Sequence, residues 1–346
     1  MLPSSSAPPP ETPAGPPRRR HRAAWTGLAL GLILAVLAAG AYRLYRAPGP
    51  LAASRTVVVP AGTTAHVAEA LAETGVIHSP RLFTLAALAT ARAGPLHAAE
   101  LRFPAHASFA TVLSILRTAP PVEHRLTIPE GLTAQQIAKI LARAPALTGP
   151  TDIPAEGWVL PSTYDYLYGT SRAAIIARAH AALIHRLTAL WDARAANLPL
   201  STPAQALILA SIVERETAIP SERPRIAAVF LNRLKLGMKL QSDPTVIYAA
   251  SNGAGELPHP LTSADLAIDD PYNTYRINGL PPGPIDAPGI AAITAVLHPI
   301  PSTDLYFVAD GLGGHAFAHT LAGQERNIAA WQLRIHAESR HTAPER

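Results

Sequence analysis

Two acidic residues near the end of an apolar segment are the main candidates for chemistry in this sequence of 346 residues. Residues 204–216 read AQALILASIVERE and include Glu214 and Glu216. At about 100° per residue, Glu216 shares a helix face with Leu209 and Ile212, whereas Glu214 lies roughly 160° away. A buried carboxyl group tends to stay protonated, because burial disfavours the charged form. Glu216 therefore meets a requirement for a general acid at neutral pH.

A structural role for Glu216 is the alternative. A glutamate at a helix end can simply emerge into solvent or pair with a nearby arginine, and Arg223 and Arg225 follow shortly. Helical periodicity alone leaves both interpretations open.

Capping signals predict the helices that must position this carboxyl group. Thr202 can cap a helix that starts at Pro203, and Gln205 stands three residues after Thr202 as in a capping box. The helix must end before Pro220, because proline cannot continue it.

A second helix is predicted from about residue 221 to the stop signal at Gly237. Its apolar face is formed by Ile226, Phe230 and Leu234. Asp243 followed by Pro244 resembles the cap and first turn of a third helix. Loops follow, and then a strand over residues 305–308.

The region after residue 55 twice shows the order strand, turn with proline and glycine, and short helix. The first copy has a strand at 56–59 and a helix at 64–74, and Ser79 can cap a further helix that starts at Pro80. The second copy has a strand at 126–128 and a helix at 134–142. This order occurs in small glycan-binding LysM modules, and an ordinary α+β subdomain is the alternative.

A membrane span is predicted over residues 23–42, which contain no charged residue. Twenty helical residues extend about 30 Å, the thickness of the hydrocarbon core. Trp25 and Tyr42 stand at its two ends, as interfacial aromatic residues do. More arginines precede the span than follow it, which predicts a cytoplasmic amino terminus and an exported body. A cleaved signal peptide is the alternative, although such apolar regions are typically about 7–15 residues long.

The net charge of +5 belongs to the membrane-proximal region, where residues 1–54 contain six arginines and one acidic residue. The remaining residues carry 23 basic and 23 acidic side chains. A nucleic-acid-binding protein normally carries its basic excess on the folded domain. We therefore expect no nucleic-acid partner.

Metal and thiol chemistry have little support in the sequence. The chain has no cysteine, which excludes a disulfide framework, thiol catalysis and cysteine-ligated metals. His315 and His319 are four residues apart, but Gly313 and Gly314 favour a loop at this place rather than a metal-binding helix. We expect no metal and no cofactor. Glu130 and Glu156 each precede a glycine in a turn and are interpreted as structural.

A series of motifs occurs in fixed order along most of the exported part. They are PEG (129–131), EGWVLPSTY (156–164), SIVERET (211–217), SER (221–223), VFLNRL (229–234), GMKLQSDPTVIY (237–248), PYNTY (271–275), GLPPGPI (279–285), YFV (306–308) and GHAF (314–317). Over residues 55–335 the chain resembles the endolytic murein transglycosylases, also called MltG or YceG-like. The departures from the family pattern are Ser162 in place of aspartate, Ala287 in place of a polar residue, and Arg326 where histidine is common.

The resemblance implies a lytic transglycosylase that cleaves the β-1,4 bond between N-acetylmuramic acid and N-acetylglucosamine and leaves 1,6-anhydro ends. Glu216 would be the acid and then the base, and the C6 hydroxyl of the substrate would be the nucleophile. Polar loop residues are suited to bind the sugars: Gln241, Ser242, Asp243, Tyr272, Asn273, Thr274 and Tyr275. Turn and cap chemistry is the alternative for these residues. The implied partners are peptidoglycan glycan strands, the cytoplasmic membrane and peptidoglycan synthases.

The predicted fold class is α+β, with a single N-terminal transmembrane helix, a small LysM-like subdomain and a larger mixed α/β catalytic domain whose acid ends a helix. The predicted segments are a disordered cytoplasmic tail (1–22), the transmembrane helix (23–42), a linker (43–55), the LysM-like subdomain (56–122) and the catalytic domain (123–341). Two rival functions remain, a glycoside hydrolase with Asp243 as second carboxylate and a non-catalytic, membrane-anchored peptidoglycan-binding scaffold.

Overall fold

A long N-terminal helix, α1 (Arg19–Arg46), opens the part of the chain that the structure describes. The structure is a computed structural model that describes residues 19–341, with side chains from 25 to 336. Within these residues, one helix is long and apolar enough to cross a membrane, over Trp25–Arg46. Residues 1–18 of the predicted disordered tail lie outside the described residues. Residues 19–22 belong to α1, so the prediction of a disordered tail is wrong for these four residues. The helix extends four residues beyond the predicted span at each end.

The chain divides into two compact units, with the boundary after Val122. The elements of the first unit after α1 are β1 (Arg55–Val58), α2 (Thr64–Glu73), α3 (Pro80–Ala89), β2 (Glu100–Phe103) and α4 (Phe109–Thr118). The two strands pair antiparallel, with Arg55 opposite Phe103. Helices and strands enclose a core that includes the fully buried side chains of Phe83, Phe103, Leu113 and Leu116.

Local capping explains where the helices of this unit begin. Thr63, Ser79 and Ser108 each accept a hydrogen bond from the backbone N–H three residues later, at the starts of α2, α3 and α4. The predicted strand and first two helices are confirmed, whereas β2 and α4 have no counterpart in the prediction. The order of strand, helix and helix at the start of this unit agrees with the predicted pattern, and a LysM-like identity stays a prediction.

The second unit is mixed α and β. Its elements are β3 (Glu123–Ile128), α5 (Ala134–Arg143), β4 (Ser162–Leu167), α6 (Arg172–Asp192), α7 (Pro203–Glu216), α8 (Arg223–Lys235), α9 (Asp243–Ala250), α10 (Ser263–Leu266), α11 (Ile290–Leu297), β5 (Tyr306–Ala309), β6 (His315–Ala318) and α12 (Leu321–His341). β3 pairs antiparallel with β4, and β5 pairs antiparallel with β6. The sequence predicted β3, α5, α7, α8, α9 and β5.

Helix α7 is the central element of this unit. Its residues from 206 to 213 are all buried, and α6, α8 and α11 pack around it. The Thr202 cap and Pro203 start are confirmed, but Gln205 Oε1 accepts from the N–H of Ser201 rather than completing a capping box. Helix α7 is therefore buried along most of its length, and Glu214 and Glu216 in its last turn are partly buried.

A substitution at Gly157, which lies in a turn, tests how closely the backbone packs near the core of this unit. Gly157 has φ +75°, and a Cβ there would lie 2.3 Å from Cβ of Pro284. We expect Gly157→Ala to lower the free energy of unfolding by about 2 kcal/mol, because it adds a clash to a strained backbone. Urea unfolding measures this change. Gly279→Ala is the control: Gly279 has φ +81° but nothing within 4 Å of its added Cβ, so a loss as large as that of Gly157→Ala would contradict the packing argument.

Candidate active site

The candidate site forms where the end of α7 meets the start of α9. Glu216 is the last residue of α7 and is part-buried. The hydroxyl of Ser242 donates a short hydrogen bond to Oε1 of Glu216. Ser242 is held in turn by its backbone N–H, which donates to Oγ1 of Thr274 at 3.0 Å. This contact joins two of the residues singled out in the sequence, although they are 26 positions apart.

The surroundings of Glu216 favour its protonated form. Burial raises the pKa of Glu216 to about 7, and the negative charge of Asp243 acts in the same direction. The Ser242 hydrogen bond and the charges of His315 and Arg233 oppose this rise. A carboxyl group balanced in this way can give and take a proton near neutral pH. Within the described residues Glu216 forms no ion pair with Arg223 or Arg225, because Arg223 pairs with Glu214 and Arg225 pairs with Asp304.

Asp243 is the first residue of α9, and Ser242 occupies the cap position without a capping hydrogen bond. The prediction that Asp243 caps this helix is therefore wrong. Its Oδ1 accepts a hydrogen bond of 2.6 Å from the hydroxyl of Tyr275. Burial raises the pKa of Tyr275, and Asp243 raises it further, so this tyrosine keeps its proton.

Asn273 and Thr274 are completely buried. The side-chain amide of Asn273 donates to the carbonyls of Leu266 and Ile268, and its Oδ1 accepts from the N–H of Tyr275. These polar atoms are used inside the protein. The two residues shape the loop that places Ser242 and Tyr275, and they offer no exposed group to a sugar in this structure.

Gln241 lies at the edge of the site in a left-handed backbone conformation, with φ +52°. Its Oε1 accepts from Nη1 of Arg233 at 3.3 Å. The same guanidinium group donates to the carbonyls of Leu240 and Leu305 at 2.8 and 2.7 Å. Arg233 thus joins the loop before α9 to the start of β5.

The sequence prediction assigned no role to Arg233, although a signal was present. Arg233 stands three residues after Phe230 and seven after Ile226, on the face of α8 that the apolar pattern predicted to be buried. A charged residue on such a face needs internal partners.

Tyr272 faces a different groove of about 350 Å³. Its ring lies 4.8 Å from that of Tyr248, whose hydroxyl donates to Oε2 of Glu156 at 3.2 Å. Oε1 of Glu156 accepts from the N–H of Ala134 at the start of α5. Neither Glu216 nor Ser242 lines this groove. Tyr272 thus lines a groove whose wall includes neither of the two residues that form the central contact of the candidate site.

His315 contacts Glu222, the residue that precedes α8. Its Nδ1 lies 2.7 Å from Oε2 of Glu222, and its backbone N–H donates to Oε1. Burial alone would raise the pKa of Glu222, but these hydrogen bonds hold it below its usual value. His319 is exposed beyond the end of β6. Among the side chains that are described, no three His, Asp or Glu residues are arranged to hold a metal ion.

Glu214 has partners of its own. Its Oε2 accepts from the N–H of Gly289, its Oε1 lies 3.3 Å from Nη2 of Arg223, and only 6% of its side chain is exposed. The arginine pairing considered for Glu216 is thus made by Glu214. Sequence periodicity did not reveal this role, because Gly289 approaches from a distant part of the chain.

The YceG-like family model matches residues 57–330. The chain belongs to the YceG-like family. The match spans both units and includes Glu216, Ser242 and Tyr275, which the structure places at the candidate site.

Curated relatives in this family are named endolytic murein transglycosylase. The protein from Bacillus subtilis (strain 168) is 37% identical over 176 residues, which cover 51% of this chain and 47% of that protein. The protein from Streptococcus pneumoniae serotype 2 (strain D39) is 31% identical over 253 residues, which cover 60% of this chain and 45% of that protein. The chain thus spans about half the length of these relatives.

A solved structure is also similar to this chain. It is a crystal structure of a YceG-like protein from Listeria monocytogenes, with 28% identity and a TM-score of 0.48. The match covers 79% of this chain and 98% of the other.

Proposed function

We propose that this protein is an endolytic lytic transglycosylase that cleaves the bond between N-acetylmuramic acid and N-acetylglucosamine in peptidoglycan strands. The observation that carries the proposal is the carboxyl group of Glu216, hydrogen-bonded by Ser242 and with its pKa raised to about 7. Membership of the YceG-like family and the names of its curated relatives support the same activity.

In the proposed reaction, Glu216 first donates its proton to the glycosidic oxygen as the bond to the anomeric carbon of the muramic acid breaks. The resulting carboxylate then accepts the proton of the C6 hydroxyl of that sugar, whose oxygen bonds to the anomeric carbon. The products are a new free hydroxyl and a 1,6-anhydro end, and Glu216 is again protonated. One carboxyl group is sufficient because the substrate supplies the nucleophile.

Tyr275 and Asp243 are the proposed supports of this reaction. The hydrogen bond from Tyr275 fixes the carboxylate of Asp243, whose negative charge acts on Glu216. A negative charge near the anomeric carbon would also stabilise the oxocarbenium-like transition state. Ser242 and Gln241 are proposed to contact the sugars, and Tyr272 to contact a more distant part of the strand.

The membrane location belongs to the same proposal. The apolar stretch of α1 would anchor the chain in the cytoplasmic membrane, with the amino terminus in the cytoplasm and both folded units outside. The first unit would be a LysM-like module that binds glycan. Cleavage of nascent strands beside peptidoglycan synthases would then help to end glycan elongation.

Mass spectrometry of purified glycan strands digested by the full-length protein tests the function. We expect products with 1,6-anhydro-muramoyl ends. Products with reducing ends would instead support a glycoside hydrolase with Asp243 as the second carboxylate, for which the proximity of Asp243 to Glu216 is the specific observation. Undigested strands would support a non-catalytic scaffold.

Asp243→Asn should change the pH dependence of the reaction. The charge of Asp243 raises the pKa of Glu216, so its removal should lower that pKa. The activity of a general acid is lost as pH rises through its pKa, and the alkaline limb of the pH–rate profile should therefore move to lower pH. Asparagine retains an oxygen that can accept from Tyr275. If the alkaline limb did not move, its assignment to the titration of Glu216 would be contradicted. Tyr275→Phe is the control, because it removes the hydrogen bond to Asp243 and leaves the charge of Asp243 in place.

A further inference from the structure

The solvent-facing side of α3 is apolar, which is unusual for a short surface helix. Phe83 and Ala87 face the core of the first unit and are buried. On the other side, Leu82, Leu85 and Leu88 are 40%, 63% and 62% exposed. Contiguous exposed apolar side chains of this kind mark a surface that contacts a partner or a membrane.

This apolar face is continuous with the end of α1. Leu82, Leu85 and Ala89 of α3 line a groove of about 400 Å³ together with Ala41 and Tyr42 of α1. Ala41 and Tyr42 are the last residues of the uncharged stretch, and Arg43 follows immediately. If this stretch spans the bilayer, α3 therefore lies at the level where the hydrocarbon core meets the headgroups.

The connection between α1 and the rest of the unit is closely packed. Tyr45, in the last turn of α1, packs against the core of the first unit. The N–H of Gly49 donates to the carbonyl of His106, and a Cβ at Gly49 would lie 2.2 Å from the carbonyl oxygen of Ala107. Leu51, two residues further on, is buried. These contacts hold the end of α1 against the first unit, to which α3 belongs.

The charges around α3 also suit a membrane surface. Arg81 lies in its first turn and Arg92 just beyond its end, and both are exposed. Arg43 and Arg46 stand at the end of α1. An apolar helix face bordered by arginines is the pattern by which a helix lies in the interface of a membrane that contains anionic lipids.

We propose that α3 is a second membrane contact, with Leu82, Leu85 and Leu88 inserted among the lipid acyl chains of the leaflet at the Tyr42 end of the span. The arginines at its borders contact anionic headgroups. The first unit is thereby held against the bilayer surface instead of turning freely on a single helix. This inference rests on the proposed insertion of α1.

Site-directed fluorescence tests the contact, and the absence of native cysteine makes labelling specific. The full-length protein carrying Leu85→Cys or Leu88→Cys is labelled with an environment-sensitive dye. It is reconstituted in phosphatidylcholine and phosphatidylglycerol vesicles, with or without lipids bearing a quencher near the headgroup end of the acyl chain. We expect a blue shift and about a twofold or greater loss of fluorescence from the quencher lipids.

Two control positions separate the possible failures. Glu69 is exposed on α2, so the dye on Glu69→Cys should remain accessible to aqueous iodide and unaffected by quencher lipids. Leu34 lies in the apolar stretch of α1, and the dye on Leu34→Cys should be shielded from iodide whenever the span is inserted. A shielded position 34 with positions 85 and 88 open to iodide would overturn the α3 contact alone. A position 34 that is open to iodide would overturn the proposed anchor.

A second copy of this chain is the other occupant that the same experiment detects. In a dimer, the dyes at positions 85 and 88 would be shielded from iodide, but the quencher lipids would not reduce their fluorescence. The shielding would also weaken as the protein is diluted in the membrane. This result would overturn the lipid contact in favour of a dimer.

Discussion

Glu216→Gln should lower the rate of 1,6-anhydro product formation by about 10³-fold or more, since it removes the proposed general acid and base. Glutamine has nearly the same shape and can still accept the hydrogen bond from Ser242. It has no proton to give to the glycosidic oxygen at neutral pH. The rate is measured by mass spectrometry of glycan digests at equal concentrations of folded protein.

Glu214→Gln is the matched control for this substitution. It changes the same residue type two positions earlier on α7, at a side chain whose oxygens are used by Gly289 and Arg223. We expect Glu214→Gln to lose some stability but to retain anhydro products below its unfolding temperature. Retained activity in folded Glu216→Gln would refute the assignment of the acid. It would also favour the scaffold interpretation if glycan binding persisted without cleavage.

The same Glu216→Gln protein should be more stable than the wild type at pH 8, by up to about 3 kcal/mol. The pKa of Glu216 rises on folding from 4.5 to about 7, so the folded state binds this proton more tightly than the unfolded state. The associated stability is fully present below pH 4.5 and is lost as pH rises through 7. Glutamine is uncharged throughout and escapes this loss.

Thermal or urea unfolding of both proteins across this pH window measures the effect. The two curves should agree in shape below pH 4.5 and separate progressively towards pH 8. Ser242→Ala provides a further control: it removes the hydrogen bond that lowers the pKa of Glu216, so the folded-state pKa should rise. The loss of stability should then begin at the same pH but continue to a higher pH and become larger. A constant difference at every pH would show that Glu216 does not titrate with a raised pKa. A gain of stability on loss of the proposed catalytic carboxyl group is the expected trade-off between stability and activity.

Features that depend on neighbouring residues were predictable from the sequence. The caps at Ser79 and Thr202 set the starts of α3 and α7, because a cap satisfies backbone groups within the same turn. The apolar stretch before Arg43 likewise gives a helix long enough to span a membrane. The position of Glu216 at the end of α7 followed from the same local rules.

The roles of the loop residues were less predictable. Asp243 precedes a proline, as a helix cap often does, yet its carboxylate accepts a hydrogen bond from the hydroxyl of Tyr275 instead. Asn273 and Thr274 are polar loop residues, yet both are completely buried and hold the loop together. The type of a polar residue limits which hydrogen bonds its side chain can form. Which of these bonds it does form depends on contacts with residues far away in the sequence.

The sequence by itself determined the membrane-spanning length, the neutral charge of the body, most helix starts and the place of Glu216 at the end of α7. Only the tertiary structure decided that Ser242 meets Glu216, that Arg233 joins the adjoining loops, that Tyr272 lies in a separate groove and that α3 continues the surface of α1. The physical reason is the distance along the chain over which each interaction acts. Periodicity and capping act within a few residues, whereas the pKa of a carboxyl group depends on burial and charges supplied by segments far apart in the chain.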